Sequence, residues 1–252
     1  MDSNRRYKKR RKKEKRRKRI LNFILLLFIF ILIYLFAFKT DFFTIKKIEI
    51  VGNKKLSKDT ISKASIFLKG ENIFKINKEH CQDSINNLSY IRDVKIRRKL
   101  PSTIIIEVEE REEVAVIPYI GAFVFIDEEG CILNIEEKKG EINFPQIFGL
   151  DLVNLEIGDF LFNNGDEGKL DFLKIGKDSK LLKQMKYINF SKKENTMIEL
   201  NNGTKIAFGP LDNVEYKLSF LSEILKDIEK KELKVKQILM NKGDNPIIVV
   251  DD

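Results

Sequence analysis

Residues 90–111 read YIRDVKIRRKLPSTIIIEVEER, and their period decides the architecture around them. Val94 and Ile96 fall on one side of an extended chain while Lys95 and Arg97 fall on the other. That two-residue alternation is the pattern of a half-buried strand. Leu100 and Pro101 interrupt it, and Ile104, Ile106 and Val108 then resume it. The stretch therefore predicts strand, turn, strand.

Upstream the period becomes helical. In residues 72–88, NIFKINKEHCQDSINNL, Asn77 is placed to cap a helix, Glu79 lies in its first turn, and Cys81, Ile85 and Leu88 share one face. Earlier still, TIKKIEIVGN at residues 44–53 sets Ile48 and Ile50 opposite Glu49 and closes on Gly52 and Asn53. Ser57 then caps a further helix with Asp59 in its first turn and Ile61, Ala64 and Leu68 as the buried stripe. Residues 43–111 thus form a β-α-α-β-β module, with two helices expected to cover one face of a small sheet.

Before this module, residues 20–38 read ILNFILLLFIFILIYLFAF and carry no charged side chain. At 1.5 Å per residue they span about 28 Å, the thickness of a bilayer's hydrocarbon core. The apolar run exceeds a signal-peptide core and ends in LFAFKTDFF, without an A-x-A-like cleavage site. A retained transmembrane helix is the expectation. Residues 5–19 hold thirteen Lys or Arg against one Glu, which predicts a cytoplasmic N-terminus. Residues 2–19 carry +11, so the remaining chain carries -2 of the total +9. The basic pI is therefore a property of the tail and does not indicate a nucleic-acid-binding domain. The run is expected to be disordered until it meets anionic lipid headgroups, and it has no means of reading bases.

The combination of GN, LS, NIF, YI, V-x-I and LPSTI, in order and behind a single span, resembles the FtsQ-type POTRA domain of the bacterial FtsQ/DivIB cell-division family. Gly52 and Asn53 match that family's turn, and Leu100, Pro101, Ser102 and Thr103 match its strand connection. The likeness continues through I-D-x-x-G at residues 126–130 and PQIFGL at residues 145–150. LPSTI lacks the Gly and the hydrophobic tail of a sorting signal, and is read as a strand junction.

The second half is expected to be a larger mixed domain. VAVI is a short strand stopped by Pro118, FVFIDEEGCILNI a hairpin, and residues 151–166 a connection. A helix is expected over about 170–185, then a hairpin around residues 201–203. Val214, Leu218, Leu221, Leu225 and Ile228 form one apolar helical stripe. Val235 and residues 238–240 predict a strand, and Ile247 to Val250 a further one after a turn over 243–246. The fold class is thus α+β: one N-terminal transmembrane helix, a POTRA domain, and a larger domain on an antiparallel-rich sheet. The expected divisions are a tail (1–19), span (20–38), POTRA domain (43–111), β domain (112–234) and terminal strand with tail (235–252).

A search for chemistry is mostly negative. His80 is the one histidine and sits off its helix's apolar stripe, which removes the usual metal cluster or Ser-His-Asp triad. Cys81 lies on a buried face and Cys131 in a hairpin strand of the other domain, so neither reads as a nucleophile and a disulfide is not expected. The carboxylates of residues 151–166 do not follow a calcium-loop spacing, and Glu107, Glu109, Glu110, Glu112 and Glu113 read as solvent-facing charge. No P-loop or dinucleotide fingerprint occurs. The expectation is no catalytic site, cofactor or metal.

The resemblance implies a non-enzymatic scaffold at the division septum, with its C-terminal domains outside the cell. Its implied partners are divisome proteins of the FtsL and FtsB/DivIC type and septal peptidoglycan synthases. The candidate protein-binding residues are Val235, Ile238, Met240, Ile247 and Val249, on a terminal sheet edge suited to pairing with another chain. A cell-wall-modifying enzyme and a POTRA-type chaperone for exported polypeptides are the alternatives.

Overall fold

The computed structural model describes every residue except 1, 68, 138–141, 154, 244 and 252, and for residues 2–14 the backbone alone. The chain divides into two units: Met1–Ile85 with Val94–Val108, and Asn86–Asp93 with Glu109–Asp252.

The first unit opens on one continuous helix, α1 (Asp2–Lys39). An 18-residue stretch within its Lys15–Lys39 part has a mean hydropathy of 3.0, and none of that stretch is buried against protein, as a helix facing lipid requires. The basic run, expected to be disordered until it meets anionic lipid, is helical here. Lys and Arg have good helix propensity, and extending the apolar helix avoids a second nucleation. After a 3-10 turn (Asp41–Phe43) come β1 (Lys47–Val51), α2 (Lys58–Ala64), α3 (Lys78–Asn86), β2 (Ile91–Lys99) and β3 (Thr103–Glu110).

Both helix starts follow their caps. Ser57 Oγ accepts the Thr60 N–H at 3.0 Å and Asn77 Oδ1 the His80 N–H at 3.3 Å. The three strands lie in the order β1-β3-β2, and β1 pairs parallel to β3 with Ile48 opposite Ile104 and Ile50 opposite Ile106. Ile61, Ile85, Ile104 and Ile106 are fully buried. Leu88 lies beyond the end of α3 and outside its buried stripe, and Leu68 falls outside the described residues.

The second unit holds β4 (Ala115–Tyr119), β5 (Ala122–Ile126), β6 (Ile132–Glu137), β7 (Gln146–Phe148), α4 (Glu167–Asp178), β8 (Met185–Asn189), β9 (Thr196–Leu200), β10 (Lys205–Gly209), α5 (Val214–Lys230), β11 (Val235–Leu239) and β12 (Ile247–Val250). Its nine strands run in the order β12-β11-β10-β9-β8-β7-β4-β5-β6. The pairs β7–β8 and β10–β11 are parallel and are joined through α4 and α5, the usual helical crossover between parallel neighbours. Antiparallel pairs predominate across the sheet.

Three expectations change here. Pro118 lies inside β4 opposite Phe123, because β7 pairs with β4 only at Val116 and asks for no N–H at Pro118. The helix expected to reach residue 185 stops at Asp178; Lys180 is left-handed (φ 62°) and a short 3-10 turn, Leu181–Gln184, follows. Residues 185–189, which begin where that helix was expected to end, form the central strand β8. Of the turn expected over 243–246, residue 244 lies outside the described residues.

One row of side chains holds the sheet to its helices. Ile147, Ile188, Ile198, Ile206, Ile238 and Ile248 pair in succession from β7 to β12. The first five are buried in the same core as Phe172 and Leu173 of α4 and Leu218, Leu221 and Ile224 of α5. Phe172 meets Phe190 and Phe208 edge-on, at 5.9 and 5.4 Å between centroids. The sixth, Ile248, is 40% exposed. Truncation should separate the two kinds of position: Ile206→Ala is expected to cost about 2–5 kcal/mol by leaving a cavity, and Ile248→Ala about 1 kcal/mol or less. Denaturant unfolding of the two variants measures the difference, and equal losses would contradict a row that runs out at β12.

Candidate partner-binding edge

A nine-stranded open sheet has two edges, and each presents unpaired backbone groups unless something guards it. At the β6 edge, Ile132 donates its N–H to Asp159 O and accepts from Gly158 N–H, both at 2.8 Å, so the segment at 158–160 covers the strand's beginning. Glu136 and Glu137 put exposed charge on its far end. The edges of the small sheet are charged too, with Lys47 and Glu49 on β1 and Lys95, Arg97 and Lys99 on β2.

The β12 edge has no such cover among the described residues. Its four side chains are all β-branched and uncharged, and Ile247, Ile248, Val249 and Val250 are 50, 40, 38 and 51% exposed. Among the described residues only Pro246 before it and Asp251 after it resemble the usual edge devices. Completing the burial of each would release about 1 kcal/mol, in addition to any main-chain hydrogen bonds formed. The backbone direction is also defined. Asp251 N–H donates inward to Lys234 O at 2.8 Å, so by strand alternation Val249 and Ile247 point their N–H groups at β11 while Val250 and Ile248 point theirs outward.

The five candidate residues divide by parity along the strands. Ile247 and Val249 are on the face of the sheet away from α4 and α5. There Val249 ends a row that runs Gln146, Tyr187, Glu199, Lys205, Gln237. On the same face Phe148, Tyr187 and Met197 help to line a shallow depression of about 410 Å³. Val235 is half-buried opposite Val250. Met240 is half-buried and its N–H is taken by Ala207 O at 2.9 Å. Ile238 is fully buried on the helix side and offers no side-chain surface. Ile248 and Val250, absent from the candidate set, are exposed members of the same edge. The unbroken IIVV run was their signal.

The candidate turn residues have structural work. Gly52 has φ +92°, and a Cβ there would lie 2.0 Å from Val108 O, so both conformation and space require glycine. Asn53 Nδ2 donates to Leu56 O at 2.9 Å and closes the turn toward Ser57. Leu100 and Pro101 occupy the β2–β3 turn, joined by a cis peptide bond, with Leu100 exposed.

His80 is exposed on α3. Cys81 and Cys131 are free and buried, and burial pushes the Cys131 thiol up to about 11. Among the described residues no group of three His, Cys, Asp or Glu side chains is placed to hold a metal. The I-D-x-x-G motif instead builds an ionic turn. Asp127 is fully buried; its Oδ1 accepts the N–H groups of Glu129 and Cys131 at 2.9 and 2.8 Å, and Arg111 Nη1 donates to Oδ2 at 2.5 Å. Glu128 pairs with Arg92 on one oxygen and with Lys177 of α4, at 2.9 Å, on the other. Arg111 also reaches Glu129 at 2.6 Å.

A membrane-spanning helix followed by a β-α-α-β-β unit and a large mixed sheet defines a single-pass anchored protein, and comparison with known proteins narrows the class. The family described as POTRA domain, FtsQ-type, matches residues 43–111. Cell division protein DivIB of Clostridium botulinum (strain Hall) is 31% identical over 243 residues, covering 90% of each chain. DivIB of Clostridium tetani is 29% identical over 224 residues, 85% of this chain and 82% of that one. FtsQ of Syntrophotalea carbinolica is 27% identical over 114 residues, 45% of this chain and 40% of that one. A solved structure of the major extracytoplasmic domain of DivIB from Geobacillus stearothermophilus, in its trans isomer, covers 48% of this chain and 97% of its own at 16% identity and a TM-score of 0.33. This chain belongs to the FtsQ/DivIB family of bacterial cell-division proteins.

The ionic turn makes a pH prediction. Burial acts to raise the Glu128 pKa, but Arg92 and Lys177 outweigh it and hold the carboxyl below its ordinary value of 4.5. A depressed folded-state pKa contributes stability that is complete above the unfolded value and is lost as pH falls through the folded one. Thermal melts of the parent should therefore weaken on acidification below about pH 4.5. Glu128→Gln is expected to lose about 2–4 kcal/mol at neutral pH and to show a shallower acid limb. An acid limb as steep as the parent's would remove Glu128 from the account.

Proposed function

We propose that the chain is a non-enzymatic scaffold of the division machinery that recruits a partner by strand addition at β12. Residues 1–19 are its cytoplasmic tail, apposed to anionic headgroups, and residues 20–38 its span. Residues 43–111 form the POTRA domain, 112–234 the β domain, and 235–252 the terminal strand and tail, all outside the cytoplasm at the septum. The observation that carries this reading is the edge itself: four uncharged, exposed β-branched residues on a strand whose outer backbone groups face solvent. A soluble domain guards such an edge unless another chain is to occupy it.

Membership of the FtsQ/DivIB family supports a partner from the same machinery, of the FtsL and FtsB/DivIC type, with septal peptidoglycan synthases regulated through the complex. An extended segment of that partner would satisfy the outward N–H groups of Ile248 and Val250 and set apolar side chains beside Ile247 and Val249.

The test separates backbone from side-chain recognition. Val250→Pro removes one outward N–H without touching the inward bonds to β11, and is expected to weaken capture of the partner about tenfold. Ile247→Asp with Val249→Asp should abolish capture, with circular dichroism and melting temperature close to the parent's. Photocrosslinking probes at positions 248 and 250 should trap the partner in dividing cells. Full capture by the proline variant, or no crosslink from either position, would refute strand addition.

A further inference from the structure

The spanning helix does not end freely at its outer turn. Thr40 Oγ1 donates to Phe36 O at 2.6 Å and Asn72 Nδ2 donates to Ala37 O at 2.7 Å, so two of the carbonyls that a helix terminus leaves open are taken. Asn72 is buried and arrives from a segment of the first unit that runs beside the chain leaving α1. Ile73 N–H donates to Phe43 O at 2.8 Å, Ile45 N–H to Glu71 O at 2.8 Å, and Gly70 N–H to Ile45 O at 3.0 Å.

Six aromatic rings close around this joint. Tyr34 meets Phe38 at 4.8 Å, Phe38 meets Phe74 at 6.0 Å, and Phe74 meets Phe43 at 5.0 Å between centroids. Phe43 meets Phe42 at 4.9 Å, and Phe42 returns to Phe36 at 5.4 Å. The depth of the rings is set by helix geometry. Phe36 lies three residues, about 4.5 Å, inside the end of α1 at Lys39. A ring in contact with Phe36 or Phe38 therefore stands at the level of the last turn of the span, although Phe42 and Phe74 both belong to chain beyond it. Phe42 is nevertheless 52% exposed and Phe74 36% exposed, so protein covers neither fully. The exposed lysines Lys39, Lys46, Lys69 and Lys75 flank these rings in sequence, against the carboxylates Asp41 and Glu71.

We propose that Phe42 and Phe74, with these lysines, seat the first unit in the headgroup region of the bilayer that α1 spans, so that phospholipid is the occupant of this apolar patch. Trp and Tyr collect at that depth, Phe on interfacial elements buries at the boundary of headgroup and acyl chain, and neighbouring lysines favour anionic headgroups. The patch is continuous with the lipid-facing surface of α1, which makes lipid the occupant already present at its border.

The chain contains no tryptophan, which makes the test direct. The full-length protein would be reconstituted as Phe74→Trp, Phe42→Trp, Phe28→Trp and Val51→Trp, each a sole tryptophan. The vesicles would be phosphatidylethanolamine and phosphatidylglycerol carrying bromine either near the headgroup or near the chain ends. Phe74→Trp and Phe42→Trp are expected to be quenched about twofold or more by the shallow bromine and less by the deep one. Phe28→Trp, in mid-span, should respond chiefly to the deep bromine. Val51→Trp lies at the other end of β1, about 13 Å from Lys47, and should respond to neither. Two substituted rings protect the test against local misfolding of one variant. If both collar positions stay unquenched while Phe28→Trp responds, the rings face something other than lipid and the proposal fails. Equal quenching at Val51→Trp would mean indiscriminate contact, and would overturn it as well.

Discussion

The second unit depends on a single row of isoleucines. From β7 to β11 the paired positions Ile147, Ile188, Ile198, Ile206 and Ile238 give α4 and α5 a uniform apolar floor, and β-branched side chains stiffen each strand where they pack. Both helices lie on the same side because both crossovers join parallel neighbours and bury their stripes in the same core. The same constraint accounts for the character of the sheet's edge. The row continues into Ile248 of β12, beyond the core that the helices cover, so its last member keeps the chemistry of the core with the exposure of the surface.

A second constraint fixes the beginning of this unit. The turn at 127–130 is held by a fully buried Asp127 whose oxygens are both engaged, and Arg111 and Arg92 bring balancing charge to it and to Glu128. Charged groups this buried persist only where partners compensate their desolvation, and removing one partner costs more than the pair contributes. Lys177 brings α4 into the same network, so the hairpin and the helix are registered by an ion pair as well as by packing.

Much of the architecture was legible in the sequence because local signals and tertiary structure agreed. Ser57 and Asn77 cap the helices they were expected to cap, and the alternation from Val94 to Arg97 and from Ile104 to Val108 is the burial pattern of β2 and β3 there. The central strands β7 and β8 were not legible. β7 has three residues, too few for a period to show, and the interruption before β8 depends on Lys180 adopting a left-handed conformation that its residue type does not advertise. The basic run was expected to stay disordered until it met an anionic surface, yet its residues are good helix formers attached to a helix already nucleated. At the edge, IIVV announced an exposed strand. The face occupied by Ile238 is set by its register with Ile206, which composition does not contain.

The joint at the outer end of α1 has a mechanical consequence. With Asn72 bonded to the Ala37 carbonyl and the chain from Phe43 to Ile45 paired with residues 70–73, the helix has no free swivel where it meets the first unit. Rotation of α1 about its own axis would carry this domain with it. A neighbouring span packed against α1 inside the bilayer would therefore set the azimuth at which the POTRA unit faces its surroundings, transmitting torque where a flexible tether would transmit only proximity.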